Sequence, residues 1–433
     1  MRTNSRLMLT AILIVLLLLS LIACDREIQQ ELQDKQDDSQ SLLRDFELPL
    51  PLFAANSAWN QKATGAEDLP KSDDQILTLY RVLLGDSSSL HPSGIGMENP
   101  FQFMFVNFDD YSIPVYKASK RKQKVLIRDY EGNQWWPSSK FPGDHKEGGP
   151  VKVPAPDGKV RPAGPRGIDA DGHLVLYDPD SFMEYDFWQA TTILSGPKSR
   201  GGGFRGNKIL EAGAVDFFDL RRLGVNRKKH SSGRATGVPL LAGLVLPEDV
   251  EGGAIEHALA CAIPGLRNLS DDPNEPLSSD YFYPATTTET DFLNTGKDAL
   301  AAGQRIRLKK KIVDDQGDPV DEDELAPITR IFLKALRAYG AYMVDNAGGF
   351  ILYAEDIHTA DLNLSDEEVQ ILIGRPDEKL PGGKCKWQIV MEALNRDLEQ
   401  VPLAYGSWEE GQDPAAATVK ISNFEVVEPA LEP

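Results

Sequence analysis

The sequence predicts a mainly β protein: a β-sandwich core, jelly-roll-like, carrying a few helical insertions. Three observations predict it. Apolar stretches are short and punctuated by 36 glycines and 29 prolines in 433 residues. Gln304 to Lys309 alternates, with Ile306 and Leu308 facing one way and Arg305 and Arg307 the other, as in a half-buried strand. No strand–GxGxxG–helix unit is present, and the glycines at 201–203 and 252–253 read as turn material, which argues against a dinucleotide fold and a nucleotide cofactor.

Strands are expected at Phe101–Val106, Val125–Ile127, His173–Tyr177, Leu240–Leu246, Gln304–Leu308 and Gly349–Tyr353, each bounded by turn residues. Gln75–Leu84 places Ile76, Leu79, Tyr80 and Leu83 on one helical face. Asp323–Tyr342 carries Ile328, Ile331, Phe332, Ala335, Leu336 and Tyr339 at helical spacing, with Pro327 suited to the first turn. Gly340 breaks that helix, and Met343-Val344 leads into a turn over 345–349. Two further helices are expected at Leu364–Ile373, capped by Ser365, and at Lys386–Asp397.

The first residues set the domain plan. Met1–Arg6 holds two arginines and no acid, and Leu7–Ala23 is apolar apart from Thr10 and Ser20. This is the layout of a secretory signal. As an uncleaved membrane helix the run is at the short edge, about 20 residues being usual. The ending Leu21-Ile22-Ala23-Cys24 resembles the lipobox of bacterial lipoproteins. That resemblance implies cleavage before Cys24, acyl chains such as palmitate on its thiol and new amino group, and export to the periplasmic or cell-surface face of a bacterial membrane. The plan is thus a signal peptide at 1–23, a polar tether at 24–45 and one large β-rich domain at 46–433.

Net charge is −20, and loss of Arg2 and Arg6 with the signal makes it −22. Such a charge argues against nucleic acid or an anionic membrane surface as a partner. Beyond Cys24 there are two cysteines, Cys261 and Cys385, which export would permit to pair. No Cys or His cluster has metal-ligand spacing, so neither metal nor cofactor is expected.

Several segments resemble an uncharacterised group of secreted bacterial proteins. They are Trp59-Asn60, Asp171-Gly-His173, Tyr185-Asp-Phe-Trp188, the turn and strand at 235–244, Gly253-Ala-Ile-Glu-His-Ala-Leu259, Pro284-Ala-Thr286 and Tyr339-Gly-Ala-Tyr-Met-Val-Asp-Asn346. They span about 57 to 355 in a shared order. The group often has Glu where this chain has Asp186. The resemblance implies a secreted β-rich protein acting on polysaccharide.

The residues that could do chemistry gather around one expected hairpin. Asp171 and His173 share a strand face, and beyond the turn at 178–181 Glu184, Asp186 and Trp188 share another. If the two faces coincide, a histidine, several carboxylates and an indole meet. Paired carboxylates flanking a glycosidic bond can act as acid and nucleophile or base, a histidine beside them can shuttle protons, and an indole offers a sugar platform. The same residues equally make a hydrogen-bond network holding two strands. His257 alternates with Ile255 and Leu259, which reads as a core histidine, a proton-transfer partner of His173, or less readily one ligand of a metal site. Asp345 and Asn346 read as turn residues or as lining a cleft mouth. Arg307 reads as a solvated strand residue or a ligand for an acidic sugar. His91, His145, His230 and His358 fall in polar loops and read as solvated.

The leading expectation is a membrane-tethered carbohydrate-active enzyme, most simply a glycoside hydrolase with Asp186 or Glu184 as acid/base or nucleophile. His173 and His257 would relay protons, with Trp59 and Trp188 as platforms. A polysaccharide lyase, with Arg307 neutralising a uronate carboxylate, is the first alternative. A non-catalytic glycan-binding or structural envelope lipoprotein is the second. Convergence of His173, Asp186 and His257 at a cleft favours catalysis; burial with internal partners favours a structural role.

Overall fold

Short apolar stretches between turn residues become strands, fifteen of them among the described residues, against five α-helices. The computed structural model describes residues 43–84, 103–109, 111–127, 150–158, 160–164, 171–192, 209–225, 233–267, 281–288, 296–407 and 413–428. Cys24, the apolar run before it and the polar stretch to residue 42 lie outside them. Arg44–Pro433 forms one compact unit. No described helix is long and apolar enough to cross a membrane.

Two sheets organise this unit. The first has six strands in the order β1 (Met104–Asn107), β12 (Phe350–Tyr353), β9 (Leu259–Ile263), β11 (Ala341–Asn346), β10 (Arg305–Leu308) and β15 (Phe424–Val427). The β1–β12 and β9–β11 pairs are parallel and the others antiparallel. The second has seven: β6 (Thr191–Thr192), β7 (Ile209–Ala212), β2 (Val115–Ile127), β4 (Leu174–Asp178), β5 (Met183–Trp188) and β8 (Ala214–Asp219) in order, with β3 (Pro150–Pro156) also on β2. A separate hairpin pairs β13 (Ala404–Ser407) with β14 (Thr418–Ser422).

The first sheet is buried on both faces, and strand alternation sorts its side chains into two cores. Leu259, Cys261, Ile263, Met343, Phe350 and Leu352 face one way. They pack with α1 (Ser72–Leu83), α3 (Pro327–Ala338) and α5 (Lys386–Leu398) through residues such as Leu79, Phe332 and Trp387. Each such buried side chain contributes about 1.5–3 kcal/mol over an exposed one. Two polar residues of α5 tie this layer down. Asn395 pairs with both backbone groups of Val106 on edge strand β1, at 2.8 and 2.9 Å. Asp397 accepts from Ala326 N and Thr329 Oγ1, capping the start of α3 from outside at 2.7 and 2.8 Å. A short α2 (Pro247–Glu251) and α4 (Asp366–Leu372) complete the helices. Ser365 caps α4 in a capping box with Glu368.

Ala258, Ala260, Ala262, Tyr342, Val344 and Tyr353 face the other way. Their core also holds Trp59, Leu240, Leu241 and Leu244, and Val115, Val175 and Tyr177 from the second sheet.

Two elements differ from expectation. Residues 240–246 were expected as a strand but form an irregular span wedged into this second core. Gly243 sits there at φ +70°, where a Cβ would lie 2.3 Å from Ala260 N. Ala341–Asn346 was expected as a helix end and turn but is strand β11 in the centre of the first sheet. Gly340, at φ +74°, ends α3 abruptly and turns the chain straight into β11. Cys261 and Cys385 are unpaired thiols: Cys261 is buried in β9, and Cys385 accepts from Gln388 N at the start of α5.

Candidate functional site

The hairpin expected around residues 178–181 forms, and its turn has a local cause. Asp178 accepts from Asp180 N at 3.1 Å and from Ser181 Oγ at 2.5 Å, an Asx-type closure between β4 and β5. The register pairs Val175 with Asp186 and Tyr177 with Glu184. Residues directly opposite share a face, so Glu184 and Asp186 lie on the face of Val175 and Tyr177, which strand alternation extends to His173. On the other side of β5, Asp186 pairs with Asp216 of β8. That face packs on residues 233–246.

Glu184 and Asp186 are each 0% exposed. They act as acceptors for two successive amides of that segment: Leu241 N meets Glu184 Oε1 and Leu240 N meets Asp186 Oδ2, both at 2.8 Å. Their remaining oxygens, Glu184 Oε2 and Asp186 Oδ1, meet no other donor among the described residues, and the two carboxyls hydrogen-bond each other when one carries a proton. Burial pushes the Glu184 carboxyl up to about 7. Burial and then the Glu184 charge hold Asp186 well above the usual carboxylate range. The two carboxyls therefore titrate as a coupled pair that holds a proton above the usual carboxylate range.

His173 is 1% exposed, and its Nε2–H donates to Gly233 O at 3.0 Å. Its Nδ1 has no partner among the described residues. Burial lowers its pKa against the pull of Asp171, and the Arg234 charge lowers it further, so the imidazole is neutral. Asp171 itself is half-buried, and its carbonyl accepts from Gln189 N at 2.7 Å.

The cation serving this cluster is Arg234, 1% exposed. It donates to Pro239 O and Ala242 O at 2.8 and 2.9 Å, and its guanidinium carbon lies 5.0 Å from the centre of the Tyr353 ring. Its charge acts on Glu184, Asp186, Asp345 and Tyr353. Asp345, half-buried at the end of β11, accepts from Asn346 N at 3.1 Å. Asn346 Oδ1 accepts from Leu266 N at 2.9 Å.

His257 is placed elsewhere. Its Nε2 lies 3.1 Å from Asp249 Oδ2 and its Nδ1 3.0 Å from Ala258 O. Both nitrogens face acceptors, which fits an imidazolium. Burial opposes that charge, but Asp249 outweighs it and the pKa is raised. Among the described residues no hydrogen bond or ion pair joins His257 to His173, Glu184 or Asp186. Trp59 is 1% exposed and packs edge-on to Tyr342, with centroids 5.2 Å apart. Trp188 is half-buried against Gly213. Arg307 is held by Glu425 at 2.6 Å, by Ala63 O at 2.6 Å and by Asp68 at 3.4 Å. Among the described residues no three His, Cys, Asp or Glu side chains are placed to hold a metal ion.

Arg234, Asp216 and Tyr353 were not singled out in the sequence. Arg234 sits in a polar Gly/Ser/Thr stretch with no periodicity to mark it as buried. The signal for Asp216 is an acid inside the apolar run Ala214-Val-Asp-Phe-Phe218. No protein-family model, curated protein or solved structure matches the chain.

Proposed function

We propose that this chain is an exported lipoprotein, tethered to a bacterial membrane through Cys24. In this reading its β-rich body is a non-catalytic glycan-binding or structural module of the envelope. One observation carries the non-catalytic part: the acids and the histidine expected to do chemistry are at most 1% exposed and bind the backbone of residues 233–241. A sugar could not touch them without displacing that segment. In the same reading the architecture is sandwich-like, because one core takes side chains from both sheets.

A glycoside hydrolase is the second reading. It is favoured by the carboxyl pair, in which Glu184 is pushed up to about 7 beside Asp186, itself held well above the usual carboxylate range by burial. The lyase reading has less support, since Arg307 spends its donors on Glu425, Ala63 and Asp68.

The test uses the full chain, solubilised in detergent, on a panel of neutral and acidic polysaccharides, followed for both binding and products. Binding without new reducing ends or ultraviolet-absorbing unsaturated sugars supports the non-catalytic reading. Reducing ends that vanish in a folded Glu184→Gln variant establish the hydrolase; unsaturated products establish a lyase. Absence of any binding removes the glycan part and leaves the structural role. The anchor is tested separately: Cys24→Ser leaves an unacylated precursor by mass spectrometry, and an unchanged mass refutes lipidation.

A further inference from the structure

Arg161 is a half-buried cation with no acid of its own. Among the described residues its guanidinium makes a single polar contact, Nη1 to His358 Nε2. An unpaired guanidinium is unusual on a protein of net charge −20.

The surroundings hold this contact rigidly. Asp356, 1% exposed, accepts from His358 N at 2.8 Å and lies 2.6 Å from His358 Nδ1 through the same oxygen. Its other oxygen accepts from Ser112 Oγ at 2.8 Å. The proton on Nδ1 is therefore committed to Asp356, and Nε2 presents a lone pair to Arg161. The Arg161 backbone is clamped as well: the Tyr116 hydroxyl donates to its carbonyl and accepts from its N–H, both at 2.9 Å. The His358 side chain keeps 18% of its surface exposed, whereas Asp356 and Tyr116 beside it are buried. His358 is thus an oriented ring rather than a solvated loop residue.

We propose that Arg161 and His358 form a binding site for an oxyanion, such as the carboxylate of a uronate sugar or a phosphate group. Arg161 Nη1–H turns from His358 to one oxygen of the anion. His358 takes up a proton from the buffer acid at Nε2, leaving the buffer base, and donates that N–H to the other oxygen. With Asp356 ionised, the site then carries one net positive charge, matched to a monoanion. The other titratable groups close by are the Tyr116 hydroxyl and Glu355. Tyr116 is spent on the Arg161 backbone, and Glu355 is buried in an ion pair with Arg44 at 2.8 Å. The site stands without the glycan reading; within that reading it makes the polymer an acidic one.

The test titrates the detergent-solubilised full chain with glucuronate, inorganic phosphate and, as a neutral control, glucose. Glucuronate or phosphate should bind one to one and glucose should not. Arg161→Gln should weaken binding about tenfold or more. Because His358 gains a proton, the binding enthalpy should vary with the buffer's ionisation enthalpy, and His358→Gln should abolish that variation. Phosphate without glucuronate identifies a phosphate source; the reverse identifies the sugar acid. Unfolding temperature checks each variant, and Arg161→Lys serves if the Gln variant does not fold. Binding of neither anion by the wild type, or equal binding by a folded Arg161 variant, overturns the proposal.

Discussion

Asp186 and Asp216 stand directly opposite each other across the β5–β8 ladder, both buried, with Glu184 two residues along the same strand. Like charges in such a pairing are destabilising. Burial and the Glu184 charge hold Asp186 well above the usual carboxylate range. A core that accepts three acids stores a dependence on pH, and the first prediction reads it.

Glu184 should make the fold less stable as pH rises. Its carboxyl is moved from 4.5 up to about 7, so the folded chain keeps a proton that the unfolded chain releases. Stability from this group is present below about pH 4.5 and is lost on the way to about pH 7, by about 3 kcal/mol. Glu184→Gln removes that loss while its amide oxygen can still accept from Leu241 N. Urea unfolding should show the variant gaining on the wild type between pH 5 and pH 8; an unchanged difference would contradict the assignment.

Arg44 should be the costliest charge to remove. It meets Glu355 at 2.8 Å and pairs through both terminal nitrogens with Glu248. Glu355 is 0% exposed and held up to about 7 by burial even with Arg44 beside it. Arg44→Met leaves that carboxyl buried beside Glu248 without its cation, at a cost of about 3–5 kcal/mol at pH 8. The loss should shrink at pH 5, where Glu355 is neutral, and Glu355→Gln in the same chain should recover part of it. Denaturant melts at the two pH values check both statements.

His257 should act with the opposite sign. Its raised pKa means that the folded state holds the imidazolium between Asp249 and Ala258 O. The stabilisation is complete below about pH 6.5 and disappears as pH rises through the folded value. His257→Gln should cost about 2 kcal/mol at pH 6 and less at pH 9. The titration of His257 followed by NMR should lie above that of an unfolded peptide; a midpoint below it would refute the ion pair.

Gly243→Ala should be severe. The backbone is at φ +70° and the new Cβ would meet Ala260 N at 2.3 Å, a backbone atom of a central strand that cannot move aside. A loss of more than about 3 kcal/mol is expected. Because Leu240 N and Leu241 N lie on the same segment, weakened backbone amide protection there should accompany it. A variant as stable as the wild type would show that residues 240–246 do not fill the core as described.

Helices were the legible elements because their faces repeat locally. Ile328, Phe332 and Leu336 on α3, and Ser365 before α4, announce themselves within one or two turns. The β4–β5 hairpin was legible for the same reason, since Asp178 and Ser181 make its turn from neighbouring residues. Strand β11 was hidden because it is buried on both faces. Tyr342, Met343 and Val344 are all apolar there, and nothing alternates.

What the sequence by itself determined are the properties that short-range patterning and charge count decide: the mainly β class, the helical faces, the hairpin holding Glu184 and Asp186, and the acidic charge of the chain. What only the tertiary structure decided is which residues meet. Arg234 over the Tyr353 ring, Asp216 opposite Asp186, His257 on Asp249 and Arg161 on His358 join positions 8 to 197 residues apart along the chain or across a sheet. Pairings of that kind depend on sheet order and on what burial does to a charge, and neither quantity exists until the chain has folded.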